Sequence, residues 1–130
     1  MFILDTNILL RFILQDNIEQ AIAARKQMLQ HPFTIPIEVI AEVVYVLGKV
    51  YKIDRRAVVD HIKNIIYFKN AVIPNKRIVK LALNIYARKK FDFIDCVLVG
   101  YSKYKKYEII SFDKDLNKYV KSLTNYTANN

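Results

Sequence analysis

The sequence predicts an α/β fold: a parallel central sheet of four to five strands flanked by helices on both faces, within a single domain. Three observations predict it. Short β-rich runs bounded by polar residues or Pro recur along the chain. Between them lie stretches with apolar residues at three- and four-residue spacing. The third is the balance of the chain, 130 residues with 53% apolar and 25% charged residues but only two Gly and three Pro, which suits one folded domain. At this size roughly two thirds of the unfolded surface is buried on folding, so a core forms without disulfides or structural metal.

The elements follow in order. Phe2-Ile3-Leu4 reads as the first strand and gives way to Asp5-Thr6-Asn7. Helical spacing runs from Ile18 to Leu29, and its Ile18, Ile22 and Leu29 are assigned to the core rather than to an interface. A second strand, Phe33 to Ile35, precedes a helix from Ile37 to Tyr51. Asp54 suits the N-cap of a helix from Arg55 to Ile66, and Asn75 that of a helix from Ile78 to Ala87, with a strand at Ala71 to Ile73 between them. A helix from Phe93 to Tyr104, a strand from Ile109 to Phe112 and one more helix from Leu116 to Leu123 complete a domain over residues 1–123. The polar composition of 124–130 is that of a loose tail.

Composition narrows the function. Cys96 is the one cysteine, and there is no Cys/His cluster with metal-ligand spacing, so a disulfide-stapled scaffold and a zinc module are excluded and a reducing compartment, the cytoplasm, is expected. No apolar run approaches the ~18 residues of a membrane span. Met1 to Leu4 meet Asp5 and Asn7 at once without a basic leader, so no signal peptide and no membrane partner are expected. The formal charge of +9, from 21 basic and 12 acidic residues, attracts polyanions and makes nucleic acid the first partner to test.

Open α/β sheets place ligands beyond the carboxyl ends of their strands. There the acids gather. The first strand stops at Asp5 and the last at Asp113, Glu38 and Glu42 share one face of a helix, and Asp92 and Asp95 open another. If Asp5, Glu42, Asp95 and Asp113 meet, each pair at ~4 Å repels by about 4 kcal/mol at an effective dielectric of ~20. Either some carboxylates take up protons or a hard divalent cation enters, and Mg²⁺ or Mn²⁺ suits such donors. A basic protein with an acidic metal pocket points to phosphodiester hydrolysis. Taken singly, Asp5 and Asp92 also suit N-caps, Asp95 suits the positive end of a helix, and Glu38 suits a solvated position. Glu42, flanked by Ile40-Ala41 and Val43-Val44, asks for a partner unless it lies on the surface side of its helix.

With these residues in place the chain resembles the PIN-domain ribonucleases, and among them the VapC-like toxins of toxin–antitoxin pairs. The resemblance covers nearly the whole chain. It is carried by Leu4-Asp5-Thr6-Asn7 followed by Ile8-Leu9-Leu10-Arg11, by Val39-Ile40-Ala41-Glu42-Val43, by Asp92-Phe93-Ile94-Asp95-Cys96 and by Ser111-Phe112-Asp113-Lys114-Asp115. Each motif alone is common; four in order on alternating strands and helices are specific. The resemblance implies that Asp5, Glu42, Asp95 and Asp113 are catalytic and bind Mg²⁺ or Mn²⁺, with Asp5 and Asp95 foremost. It also implies that Thr6, Asn7 and Ser111 orient them, that Asp92 and Asp115 are secondary candidates, and that metal-activated water cleaves RNA. A small antitoxin and a homodimer are the implied partners. Where the family has small Ala residues after the third acid, this chain has Cys96-Val97-Leu98-Val99-Gly100.

Other residues carry weaker signals. Lys103, Lys105 and Lys106 interleave with Tyr101, Tyr104 and Tyr107, which suits an RNA backbone but equally a solvated helix end. Arg11 suits a phosphate contact or a carboxylate partner. His31, His61 and Cys96 are assigned no role. Two other functions stay open: an RNA-processing nuclease outside any toxin–antitoxin pair, and a module that binds RNA or protein without catalysis.

Overall fold

A computed structural model describes the backbone of residues 1–129 and the side chains of residues 1–123. The chain divides into two compact units, Met1–Lys76 and Arg77–Asn130.

The N-terminal unit contains β1 (Phe2–Ile3), α1 (Thr6–Leu14), α2 (Ile18–Gln30), β2 (Phe33–Thr34), α3 (Ile37–Tyr45), α4 (Arg55–Ile66) and β3 (Ala71–Val72). Its strands are parallel in the order β1-β2-β3, with Phe2 opposite Phe33, Ile3 opposite Thr34, Phe33 opposite Ala71 and Thr34 opposite Val72. Helical crossovers make this possible, since parallel neighbours cannot be joined by tight turns. The core gathers Leu9, Met28, Phe33, Ile35, Ile40, Val43, Leu47, Ile65 and Ile66, all buried. Each such side chain removed from water contributes about 1.5–3 kcal/mol.

The helix after β1, α1, is anticipated by the cap reading of Asp5 rather than by spacing, because its apolar residues, Ile8-Leu9-Leu10 and Phe12-Ile13-Leu14, crowd rather than repeat; only Leu9 and Leu10 are buried. Three expectations for this unit are corrected. The helix expected from Ile37 to Tyr51 leaves α-helical geometry at Tyr45, and residues Val46–Val50 form a π-helical turn. Gly48 lies within it, and the Tyr51 N–H donates to the carbonyl five residues back, Val46, at 3.1 Å. Ile18, Ile22 and Leu29 are exposed, whereas Ala21, Ala24 and Met28 are buried. At ~100° per residue these make two separate stripes on α2, and the smaller side chains face inward because α1 packs closely there. Finally, Asn75 is no ordinary cap. Its φ of 53° is left-handed, a conformation Asn tolerates better than most residues, and it sits in the turn before the helix Lys76–Arg88. Asp54 behaves as expected, accepting from the Ala57 N–H at 3.1 Å.

The C-terminal unit contains α5 (Lys76–Arg88, all but its first residue), α6 (Phe93–Lys105) and α7 (Lys114–Asn129). Ile78, Val79, Ala82, Leu83 and Ile85 from α5 are buried, as are Phe93, Cys96, Val97 and Val99 from α6, so Cys96 is a small packing residue. Tyr86 meets Phe93 edge-on at 6.1 Å. Gly100 permits close approach: a Cβ there would lie 2.7 Å from the Ile78 Cγ2 and 3.2 Å from the Ile78 carbonyl oxygen. No strand is assigned at Ile109–Phe112, where Ile110 and Phe112 are exposed. The sheet therefore has three strands among the described residues. The tail expected over 124–130 falls on the last turns of α7, and its side chains and residue 130 lie outside the described residues. No described helix is long and apolar enough to cross a membrane.

Candidate functional site

In the N-terminal unit Asp5 sits where β1 hands over to α1, and Glu42 lies within α3, the helix that follows β2. Asp5 caps α1: its backbone is extended (φ −88°, ψ 171°) and its Oδ1 accepts from the Ile8 N–H at 3.0 Å. The next residue, Thr6, donates from Oγ1 to the Glu42 Oε2 at 2.9 Å, tying the first turn of α1 to the middle of α3. Glu42 is exposed, which answers the question its apolar neighbours pose: it lies on the outer face of α3 while Ile40, Val43 and Val44 are buried. Glu38 and Asn7 are also exposed. Arg11 is committed elsewhere. Its Nη1 reaches both carboxylate oxygens of Asp16, at 2.8 and 2.9 Å, and a hydrogen bond with Tyr51, then Asp16, holds its guanidinium more firmly protonated than usual. A cation so partnered is poorly disposed to take a phosphate.

In the C-terminal unit four carboxylates share one cleft of about 330 Å³, lined by Lys89, Lys90, Phe91, Asp92, Asp95, Asp113 and Asp115. Helix geometry brings them there. Asp92 is the N-cap residue of α6 with an extended backbone (φ −64°, ψ 153°) but no capping bond from its side chain, and Asp95 lies in the first turn. Asp113 opens α7, its Oδ1 accepting from the N–H groups of Asp115 at 3.0 Å and Leu116 at 3.1 Å. Ser111 braces this entry. Its Oγ accepts from the Asp113 N–H at 3.0 Å, and its carbonyl accepts from the Asn117 Nδ2 at 2.8 Å. Burial chiefly, then the charges of Asp92 and Asp113, push the Asp95 carboxyl above its usual range.

The structure thus brings Asp92, Asp95, Asp113 and Asp115 into one cleft, and Thr6 and Glu42 into one hydrogen bond beside Asp5. Among the described residues no three His, Cys, Asp or Glu side chains converge as ligands of one ion. The donor type nonetheless fits Mg²⁺ or Mn²⁺, hard cations that take carboxylate oxygens and retain several waters. At the other end of α6, Lys103 lies over the Tyr104 ring at 5.5 Å and Arg77 over the same ring at 4.3 Å, while Tyr101 stacks on Tyr107 at 6.4 Å. Lys106 caps α6 in the left-handed conformation, φ 61°. These lysines complement the negative end of α6.

Sequence reasoning missed Lys89, Lys90 and Phe91 as cleft residues. The signal was present, since Lys89-Lys90-Phe91 immediately precedes Asp92-Phe93-Ile94-Asp95, but it is a short run without periodicity.

Comparison with known proteins agrees with the resemblance read from the motifs. No solved structure is significantly similar to the chain. A VapC ribonuclease of Aquifex aeolicus (strain VF5) is 29% identical over 124 residues, covering 91% of each chain. The PIN domain matches residues 2–122, a span that includes Asp5, Glu42, Asp95 and Asp113, and the chain belongs to the PIN-domain family.

Proposed function

We propose that the protein is an Mg²⁺- or Mn²⁺-dependent endoribonuclease acting as the toxin of a toxin–antitoxin pair, with RNA as substrate and a small antitoxin as inhibitor. The observation that carries this reading is the cleft of four carboxylates in a chain of this family. Burial and two like charges make an ionised Asp95 costly, and a divalent cation removes that cost. Supporting it are a net charge of +9, which draws the protein to RNA, and the ribonuclease name of the Aquifex relative.

Asp5, Glu42, Asp95 and Asp113 would hold the cation. When bound, it supplies Lewis-acid stabilisation of charge at the phosphorus and lowers the pKa of water. The chain's own residues prepare the donors. Thr6 holds Glu42 by its hydroxyl, and the α7 N–H groups hold Asp113 by Oδ1, leaving Oδ2 for a ligand. Ser111 fixes the backbone on which Asp113 stands. The exposed Ile18, Ile22 and Leu29 on α2 are suited to a homodimer contact. Cytoplasmic location follows from substrate and partner.

The test is cleavage of RNA by the purified protein. Activity with Mn²⁺, loss with EDTA, and loss in Asp95→Asn are expected, along with growth arrest on expression that a neighbouring gene's product relieves. RNA binding without cleavage under any divalent ion would replace the enzyme with a binding module. Cleavage without growth arrest would point to RNA processing.

A further inference from the structure

The acid-lined cleft has a basic wall. Lys89, Lys90 and Phe91 form the link between α5 and α6, and all three line the cleft with Asp92, Asp95, Asp113 and Asp115. Both neighbours of Lys90 are anchored. The Lys89 ammonium lies over the Tyr119 ring at 5.6 Å, and its N–H donates to the Ile85 carbonyl at 2.8 Å. Phe91 packs against the same Tyr119 ring at 5.5 Å. Lys90, between them, is exposed, and among the described residues no ion pair joins it to the carboxylates of its own cleft. An ammonium set beside four carboxylates yet within 4 Å of none is available to another anion. For a hydrolase of polyanions that anion is the substrate's own backbone, which must lie against a surface that repels it. Resting on the nuclease reading above, the geometry points to Lys90 as a phosphate-binding residue, which contacts the RNA phosphate next to the bond that is cut. It positions substrate and takes no part in proton transfer. Lys89 adds a second, ring-held charge to the same wall.

The test uses the full chain and a fluorescein-labelled single-stranded RNA of about 12 nucleotides. Anisotropy in Mg²⁺ across a salt series compares Asp95→Asn, which leaves the RNA uncut, with Asp95→Asn/Lys90→Gln. The second variant binds about fivefold more weakly at ~0.1 M salt, and its plot of log affinity against log salt is shallower by about 0.7, the counterion release of one single-strand phosphate. Lys90→Arg restores both. Equal affinity and slope in the two proteins, or weaker binding with an unchanged slope, would overturn the assignment. Wild-type cleavage of the same RNA in Mn²⁺, run alongside, separates the two failures. Cleavage together with equal slopes removes only Lys90's role, whereas neither cleavage nor binding removes the nuclease reading and the subsite together.

Discussion

Asp5 holds two positions at once, as helix cap and as candidate ligand, and substitution separates them. Its Oδ1 accepts from the Ile8 N–H at 3.0 Å, satisfying one of the orphan donors of α1. Asp5→Ala removes that acceptor at a cost of about 1 kcal/mol. For a chain of this size the melting temperature falls by roughly 3–5 °C. Asp5→Asn keeps an oxygen acceptor of equal capping strength, so its melting temperature stays within about 2 °C of wild type. Both variants lose the charge. If that charge holds the divalent ion, both lose cleavage by more than about 100-fold, beyond what loss of a residue that merely supports a ligand produces. Differential scanning calorimetry without divalent ions and initial rates of RNA cleavage in Mn²⁺ measure the two effects independently. Wild-type cleavage by Asp5→Asn would show that Asp5 is a cap and nothing more.

Asp95→Asn is expected to abolish cleavage while stabilising the fold. An acid whose pKa is raised on folding contributes stability that is present below its unfolded value and lost as pH rises through the folded one, so ionised Asp95 is a liability at neutral pH. Thermal melts without divalent ions should place Asp95→Asn above wild type at pH 7 and level with it or below at pH 3; a lower melting temperature at pH 7 would contradict the cost of burying that charge beside Asp92 and Asp113. Thr6→Val removes the 2.9 Å bond to Glu42 at an exposed site, so stability changes by less than about 1 kcal/mol while cleavage falls about 10-fold, and Thr6→Ser retains both. Gly100→Ala gains about 1 kcal/mol of helix propensity but drives a methyl to 2.7 Å from Ile78, and the clash, about 1–3 kcal/mol, prevails; urea unfolding should show a net loss.

How far the sequence revealed this arrangement depends on which interaction set each element. The parallel strands β1 to β3 were legible because β-rich triplets with polar or Pro boundaries leave few alternatives, and α4 because Asp54 both reads as a cap and acts as one. Ile109 to Phe112 has the same composition and carries no strand assignment; composition marks a β-prone segment, whereas pairing belongs to two segments and cannot be read from one. On α2 the spacing was correct and the face was not. Ile18, Ile22 and Leu29 form a true helical stripe, but Ala21, Ala24 and Met28 form another, and only packing against α1 decides between them. At the site, the sequence located the acids at strand and helix ends. It could not assign Arg11, whose carboxylate partner, Asp16, stands five residues on, nor see that Lys90 shares the cleft of Asp95.

The placement of the acids at helix starts is itself informative about charge. Asp92 and Asp95 stand at the start of α6 and Asp113 at the start of α7, where the exposed N–H groups and the helix dipole favour a negative charge by about 0.3–1 kcal/mol each. A carboxylate pair brought to ~4 Å repels by about 4 kcal/mol at an effective dielectric of ~20. Helix ends therefore offset only part of the cost of gathering these groups, enough to seat them around one cleft but not to close them on one point. Burial of Asp95 adds the larger cost to its charge, and burial first, then the charges of Asp92 and Asp113, raise its proton affinity. A proton and a divalent cation then compete for the same oxygens, so the Mn²⁺ concentration needed for half-maximal cleavage should rise as pH is lowered. If that concentration were independent of pH while Asp95→Asn still abolished cleavage, Asp95 would be acting as a proton donor or acceptor, and the ion would have to be held by the other carboxylates.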